Sequence, residues 1–177
     1  DGSLTISDVD TSDAVDVSRT LAVSGSSDRS DSAAPSDVEL LAMFTLSPTA
    51  VLDSNENTDT TAWSFDSGSE AFDYLAAGET LILTYTVTAT DSHGASDTDT
   101  VAITITGTND APVISDGPDT ANLNAAANLT SSGSLTVTDA DTTDTVAVSR
   151  TLAIGGTGNT SDAAAPTSAE LLAMLTL

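Results

Sequence analysis

The central element of the predicted fold is Thr80-Leu81-Ile82-Leu83-Thr84-Tyr85-Thr86-Val87-Thr88-Ala89-Thr90, in which apolar side chains recur at every second position. A period of two is the pattern of a β-strand that buries one face. After the turn Asp91-Ser92-His93-Gly94, the alternation resumes from Asp97 to Thr106. Together these segments predict a long antiparallel hairpin.

Three shorter stretches outside the hairpin follow the same period, at Ser3–Ser7, Asp13–Val23 and Thr61–Asp66. Trp63 and Phe65 lie two residues apart, which places both side chains on one face of their strand. Many short strands separated by turn residues predict an all-β chain folded as an antiparallel β-sandwich.

Two short helices are predicted beside the strands. Ser36 precedes Glu39 by three residues and matches a capping box, and Thr167 with Glu170 repeats the pattern. The Leu and Met residues that follow each box are predicted to fill the core rather than to form a binding site.

An internal repeat runs through the chain with an offset of 131 residues. Residues 2–46 align without a gap on residues 133–177, and 28 of the 45 aligned positions are identical. Such self-similarity is typical of tandem arrays. The segment 104–141, whose core is Gly107-Thr108-Asn109-Asp110-Ala111-Pro112, is therefore predicted to join two copies of one domain.

The composition is strongly acidic, with 27 acidic residues, three basic residues and a formal net charge of −24 at pH 7. Nucleic acid is excluded as a partner because its phosphates would be repelled, and an anionic membrane surface is disfavoured for the same reason. Since 39% of the residues are hydrophobic and alternate regularly, the strand regions are predicted to be folded. Bound cations, or a salt-adapted surface, would then reduce the repulsion among the carboxylates.

The chain contains no cysteine, which removes disulfides, thiolate metal sites and cysteine nucleophiles. The remaining oxygen donors favour a hard cation, and Ca²⁺ accepts irregular shells of about six to eight oxygens. An EF-hand is excluded, because the twelfth residue counted from Asp8 or Asp139 is an arginine. No apolar run of about 20 residues is present, so no membrane-spanning segment is predicted.

The runs Phe72–Tyr74, Leu83–Gly94 and Val101–Pro112 together resemble the bacterial VCBS repeat. Members of that family are cadherin-like domains of very large surface adhesins of Gram-negative bacteria. The resemblance covers nearly the whole chain and implies an all-β, tandem Greek-key β-sandwich of cadherin or immunoglobulin type, with one short helix per repeat. It also implies an extracellular location on the bacterial cell surface.

The resemblance implies eight calcium ligands in two groups, namely Asp8, Asp10 and Asp91 at the upper pole of the first copy, and Asp73, Asn109, Asp110, Asp139 and Asp141 at the joint between the copies. Two departures from the cadherin pattern are Gly107, where the linker would begin with an acid, and Leu75, where a Glu is expected. Fewer ligands predict fewer ions or weaker binding. From the residues alone, the alternative is that these acids cap turns and solvate the surface.

The domain boundary is predicted between residues 108 and 109. Residues 1–108 are expected to form a cadherin-like repeat that lacks its first strand. Residues 109–177 are expected to form the linker and the N-terminal part of a further, truncated repeat. The chain is thus expected to be a fragment of a longer protein, in which later residues, or a neighbouring chain, complete that repeat.

Catalysis is not expected, because no nucleophile elbow, phosphate loop or dinucleotide motif is present. The single histidine, His93, is predicted to be an exposed turn residue rather than a general base.

The preferred function is a calcium-stiffened stalk of a surface adhesin or cell-surface filament, acting in adhesion and biofilm formation, with neighbouring repeats and laterally associated chains as partners. The alternative is a lectin-like module that binds extracellular polysaccharide. Aromatic residues make up only 3% of the chain, and Trp63, Tyr74 and Tyr85 are all assigned to predicted strands.

Overall fold

A computed structural model describes residues 1–124, 129–156 and 165–177, and its regular structure is mostly antiparallel β-strand. The strands are β1 (Gly2–Ser7), β2 (Val15–Gly25), β3 (Phe44–Ser47), β4 (Ala50–Leu52), β5 (Thr58–Phe65), β6 (Thr80–Asp91), β7 (Ser96–Thr106), β8 (Val113–Ser115) and β9 (Thr136–Thr138). The helices are α1 (Asp37–Ala42) and α2 (Ser168–Ala173). The prediction of an all-β fold is confirmed at this level.

The chain divides into two compact units, Asp1–Asp144 and Thr145–Leu177. All nine of these strands and α1 lie in the first unit, and α2 lies in the second. The domain boundary between residues 108 and 109 stays a prediction.

The central hairpin forms as its alternation indicates. Strands β6 and β7 pair from Thr80 with Thr106 to Thr90 with Ser96, without a register shift. Strand β2 pairs with the other edge of β6 over eleven residues, and β4 completes a sheet in the order β4-β2-β6-β7. The apolar positions of β6 that were predicted to share one face are buried from Leu81 to Val87.

A second sheet has the order β1-β5-β3, and its side chains share one hydrophobic core with those of the first sheet. The rings of Phe44 on β3 and Tyr85 on β6 are stacked with centroids 4.3 Å apart. The Tyr85 hydroxyl donates to the carbonyl oxygen of Leu40 at 2.7 Å, which ties α1 to the core. Because every one of these groups is fully buried, the core is anchored on Tyr85.

Both predicted helices are present, and both begin with the predicted capping box. The backbone N–H of Glu39 donates to the Ser36 hydroxyl, while the Glu39 carboxylate accepts from the backbone N–H of Ser36. Thr167 and Glu170 make the same reciprocal pair in α2. Each box satisfies N–H groups that a helix start otherwise leaves without partners.

Gly107, directly after β7, leaves no room for a side chain unless the neighbouring backbone shifts. Its backbone N–H donates to Glu79 and its carbonyl accepts from the N–H of Gly78. A Cβ on Gly107 would collide with the carbonyl oxygens of Leu75 and Ala76, and these backbone atoms have no free rotation by which to move away. This close approach explains why an acid is absent from the start of the linker.

Substituting Gly107→Ala is therefore expected to destabilise the first unit by about 1–3 kcal/mol, the usual cost of overpacking. Urea denaturation followed by Trp63 fluorescence measures the change. The matched control within the first unit is Gly117→Ala, because the nearest described atom to a Cβ there is Leu135 Cδ2 at 3.9 Å, an ordinary van der Waals distance. Equal effects of the two substitutions would contradict the steric explanation.

Candidate metal sites

The turn that follows β1 carries the predicted ligands Asp8 and Asp10. One oxygen of Asp8, Oδ1, accepts from the backbone N–H of Asp10 at 2.9 Å. The backbone N–H of Asp13 then donates to the carbonyl of Asp10 at 2.9 Å. Aspartate favours such turns because its side chain can bond the backbone two residues on. Asp8 is half-buried and Asp10 is exposed.

The second copy repeats this turn but buries its second acid. The N–H of Asp141 donates to Asp139 Oδ1 at 3.1 Å, and the N–H of Asp144 donates to the carbonyl of Asp141 at 2.9 Å. Asp141 is 0% exposed, whereas its counterpart Asp10 is exposed. The difference coincides with the linker, where the backbone N–H of Asp110 donates to Asp141 Oδ2 at 2.7 Å.

The second carboxylate oxygen of Asp141, Oδ1, is buried and has no hydrogen-bond partner within the described ranges. Burying a charged group without full compensation costs several kcal/mol. A cation beside Oδ1 would remove most of that penalty. This orphaned oxygen is the feature of the joint that fits a metal ion.

The remaining predicted joint ligands lie around the linker. Asp73 and Asp110 line the same cleft at the end of β7. The exposed amide of Asn109 donates to the carbonyl oxygen of Asp110 at 2.6 Å. Within residues 1–124, 129–156 and 165–177, the carboxylates of Asp110, Asp139 and Asp141 do not form a group of three with ligand atoms inside 4.8 Å. A complete ion shell there would need carbonyl or amide oxygens as well.

Over those same ranges, the one such group of three is Asp13, Asp91 and His93. These residues could hold a metal ion. Of the three ligands predicted for the upper pole, only Asp91 belongs to the group, and Asp8 and Asp10 do not. Sequence reasoning did not select Asp13 as a ligand and treated His93 as a solvent-exposed turn residue.

The group combines a buried acid, an anchored acid and an exposed imidazole. His93 Nδ1 lies 2.8 Å from Asp13 Oδ2, and the side chains of His93 and Asp13 are 76% and 7% exposed. Asp91 Oδ1 accepts from the backbone N–H groups of His93 at 2.8 Å and Ala95 at 2.9 Å. Partial desolvation of Asp91 raises its pKa. The backbone hydrogen bonds from Ala95, His93 and Gly94, together with the charge of His93, outweigh desolvation, so the pKa of Asp91 is lowered.

The burial of Asp13 could have been predicted from the alternation of residues 13–17. Asp13 has the same parity as Val15 and Val17, both of which are buried on the core face of β2. A carboxylate at that parity is expected to need a partner. The partner itself could not be predicted from local sequence, because Val15 meets Asp91 only through the β2–β6 pairing.

The Asp13→Asn variant is expected to lower the His93 pKa toward its ordinary value. The hydrogen bond to Asp13, then the charge of Asp13, hold that pKa above 6.5, and Asp91 and Asp10 add to the shift. A raised folded-state pKa stabilises the fold fully below the unfolded value of about 6.5, and the gain is lost as pH rises through the folded value. An NMR titration of the single imidazole, in chelator, measures the shift. An unchanged pKa in Asp13→Asn would contradict the contact.

No protein-family model, curated protein or solved structure matches the chain. Neither α1 nor α2, the helices within the described ranges, is long and apolar enough to cross a membrane.

Proposed function

We propose that the chain is part of a non-catalytic stalk in which Ca²⁺ stiffens the joints between tandem, cadherin-like repeats, as in bacterial surface adhesins of the VCBS type. The observation that carries this proposal is the environment of Asp141. Its carboxylate is fully buried at the linker, and one of its oxygens has no partner within the described ranges.

The comparison between the two copies supports a role for Asp141 at the joint. The same turn occurs in both copies, but only the copy preceded by the linker segment 109–112 buries its second acid. The linker reaches this acid through the N–H of Asp110, and Gly107 fastens the linker start to the first copy. A cation on Asp141 would thus connect the second copy to a segment already fixed to the first.

Oxygen donors favour Ca²⁺ at this place. Besides Asp141, the predicted ligands of the joint are the carboxylates of Asp73, Asp110 and Asp139 and the amide oxygen of Asn109, to which backbone carbonyls would be added. Ca²⁺ accepts such mixed, irregular oxygen shells, whereas Mg²⁺ demands a near-ideal octahedron. The lack of a side chain at Gly107 leaves the joint with fewer ligands than the cadherin pattern, in line with a small number of ions.

The Greek-key β-sandwich is part of the same proposal. Its support is the pair of sheets, β1-β5-β3 and β4-β2-β6-β7, whose side chains meet in one core. The 131-residue repeat supports a stalk, because near-identical spacers serve length better than recognition. Neighbouring repeats and laterally associated chains at the bacterial cell surface are the proposed partners, and adhesion and biofilm formation the proposed setting.

The lectin-like alternative has less support. A sugar site usually offers an exposed aromatic platform, but Tyr74 and Tyr85 are buried. Trp63 is half-buried, its ring lies 5.7 Å from that of Phe44, and it packs against the backbone of Gly2. Polysaccharide binding that is lost on Trp63→Ala, with the fold intact, would favour this alternative.

Small-angle X-ray scattering of the chain with Ca²⁺ and with chelator tests the stalk. The proposal expects a longer, better-defined particle with Ca²⁺ and a more compact, broader distribution of distances in chelator. Identical scattering in the two conditions would overturn it. Magnesium at the same concentration controls for simple screening of the net charge of −24.

A further inference from the structure

The end of the first unit where β2 begins and β6 ends carries Asp13, Asp91 and His93, with ligand atoms within 4.8 Å of one another. The backbone builds this group. Val15 pairs with Asp91 in the β2–β6 ladder, Asp13 precedes Val15 by two residues, and His93 follows Asp91 by two. The hairpin turn and the entry to β2 are thereby held side by side.

Two of the three side chains are already oriented. Asp91 Oδ1 is anchored by two backbone N–H donors, so its position is set by the turn. The Asp13 side chain is only 7% exposed, and its Oδ1 also accepts from the Ser12 hydroxyl at 3.3 Å. Binding an ion would therefore require little reorganisation, and preorganised ligands bind metals more tightly.

The donors of this group differ from those at the joint, because one is an imidazole nitrogen. Histidine nitrogen and carboxylate oxygen are the common ligands of Zn²⁺, which often uses three protein ligands and leaves a position for water. Calcium sites use oxygen ligands. We propose that Asp13, Asp91 and His93 form a site for a borderline divalent cation such as Zn²⁺, which ties the β6–β7 turn to the start of β2.

The competing explanation is an ion pair without a metal. The 2.8 Å contact between His93 and Asp13 satisfies both groups, and a pair with an exposed partner contributes only about 0–1 kcal/mol. The two explanations differ in one respect that can be measured. Only a metal site saturates with Zn²⁺ and requires the imidazole and both carboxylates.

Titration of Zn²⁺ alone into the full chain, by calorimetry and by NMR of the His93 ring, tests the proposal. His93 is the single histidine, so its ring signals are unambiguous. The proposal expects one saturable ion and a His93 signal that moves with it. His93→Ala and Asp91→Asn should each weaken binding by about tenfold or more, the loss of at least about 1.4 kcal/mol. Both substitutions should preserve the turn, since the Asn side chain keeps an oxygen that can accept from the backbone N–H groups of His93 and Ala95. Circular dichroism checks that each variant is folded.

The matched control is Asp97→Asn, which removes the same charge from an exposed position on β7 and should leave Zn²⁺ affinity unchanged. Asp141→Asn should also leave it unchanged, which separates this site from the joint. Unaltered affinity in His93→Ala, or a His93 ring that does not respond to Zn²⁺, would reduce the group to an ion pair. Displacement of Zn²⁺ by a moderate excess of Ca²⁺ would overturn the choice of ion.

Discussion

Replacing Asp141 by asparagine is expected to affect the stability of the chain differently in chelator and in Ca²⁺. In chelator, Asp141→Asn should be as stable as the native chain or more so, because the substitution removes a buried charge with an unpartnered oxygen. The amide oxygen can still accept from the N–H of Asp110, so the linker contact survives.

In Ca²⁺, the native chain should be more stable than the Asp141→Asn variant. When the free Ca²⁺ concentration is one hundred times the dissociation constant, binding stabilises the native chain by about 2.7 kcal/mol. The variant should lose most of that stabilisation. Thermal unfolding in chelator and in Ca²⁺, for both proteins, measures the four values. Asp119→Asn, an exposed acid that follows the linker, is the control for charge alone. An Asp141→Asn variant that gains as much from Ca²⁺ as the native chain would place the ion elsewhere.

Replacing Tyr85 by alanine is expected to give the largest loss of stability, about 3–5 kcal/mol. The ring is fully buried, stacks on Phe44 and carries the hydroxyl that holds Leu40 of α1. Burial also raises the pKa of Tyr85 to about 12, an effect that the charge of Arg19 partly offsets. The hydroxyl therefore remains a neutral donor at any ordinary pH.

Tyr85→Phe separates the two contributions of this side chain, because it keeps the ring and removes the hydroxyl. The expected cost is about 1–3 kcal/mol, since the Leu40 carbonyl loses a buried donor. Urea denaturation of the two variants measures both costs. A loss in Tyr85→Ala no greater than in Tyr85→Phe would mean that the ring does not anchor the core.

Long and periodic elements could be predicted from sequence. Strands β6 and β7 are twelve and eleven residues long, so their alternation can be recognised in the sequence. Each helix begins with a capping box that its sequence pattern predicts. Strands β3, β4, β8 and β9 were not predicted. They are three or four residues long, and a period of two cannot be distinguished over so few positions.

The candidate sites divide along the same line. The turn at Asp139 and Asp141 is local, so its acids were predicted, but the hydrogen bond between Asp141 and Asp110 joins residues 31 positions apart. Asp13 and His93 are 80 positions apart and meet only through the pairing of β2 with β6. Local patterns indicate which side chains can bind an ion, and tertiary contacts decide which of them meet.

Whether Ca²⁺ orders the joint can be measured through the distance between two spin labels placed across it. The chain has no cysteine, so Ser18→Cys on β2 and Ser134→Cys beyond the linker, both exposed positions, give unique labels. We expect a broad distance distribution in chelator that narrows on addition of Ca²⁺, and no narrowing when Asp141→Asn is added. A distribution that is equally narrow with and without Ca²⁺ would contradict this expectation.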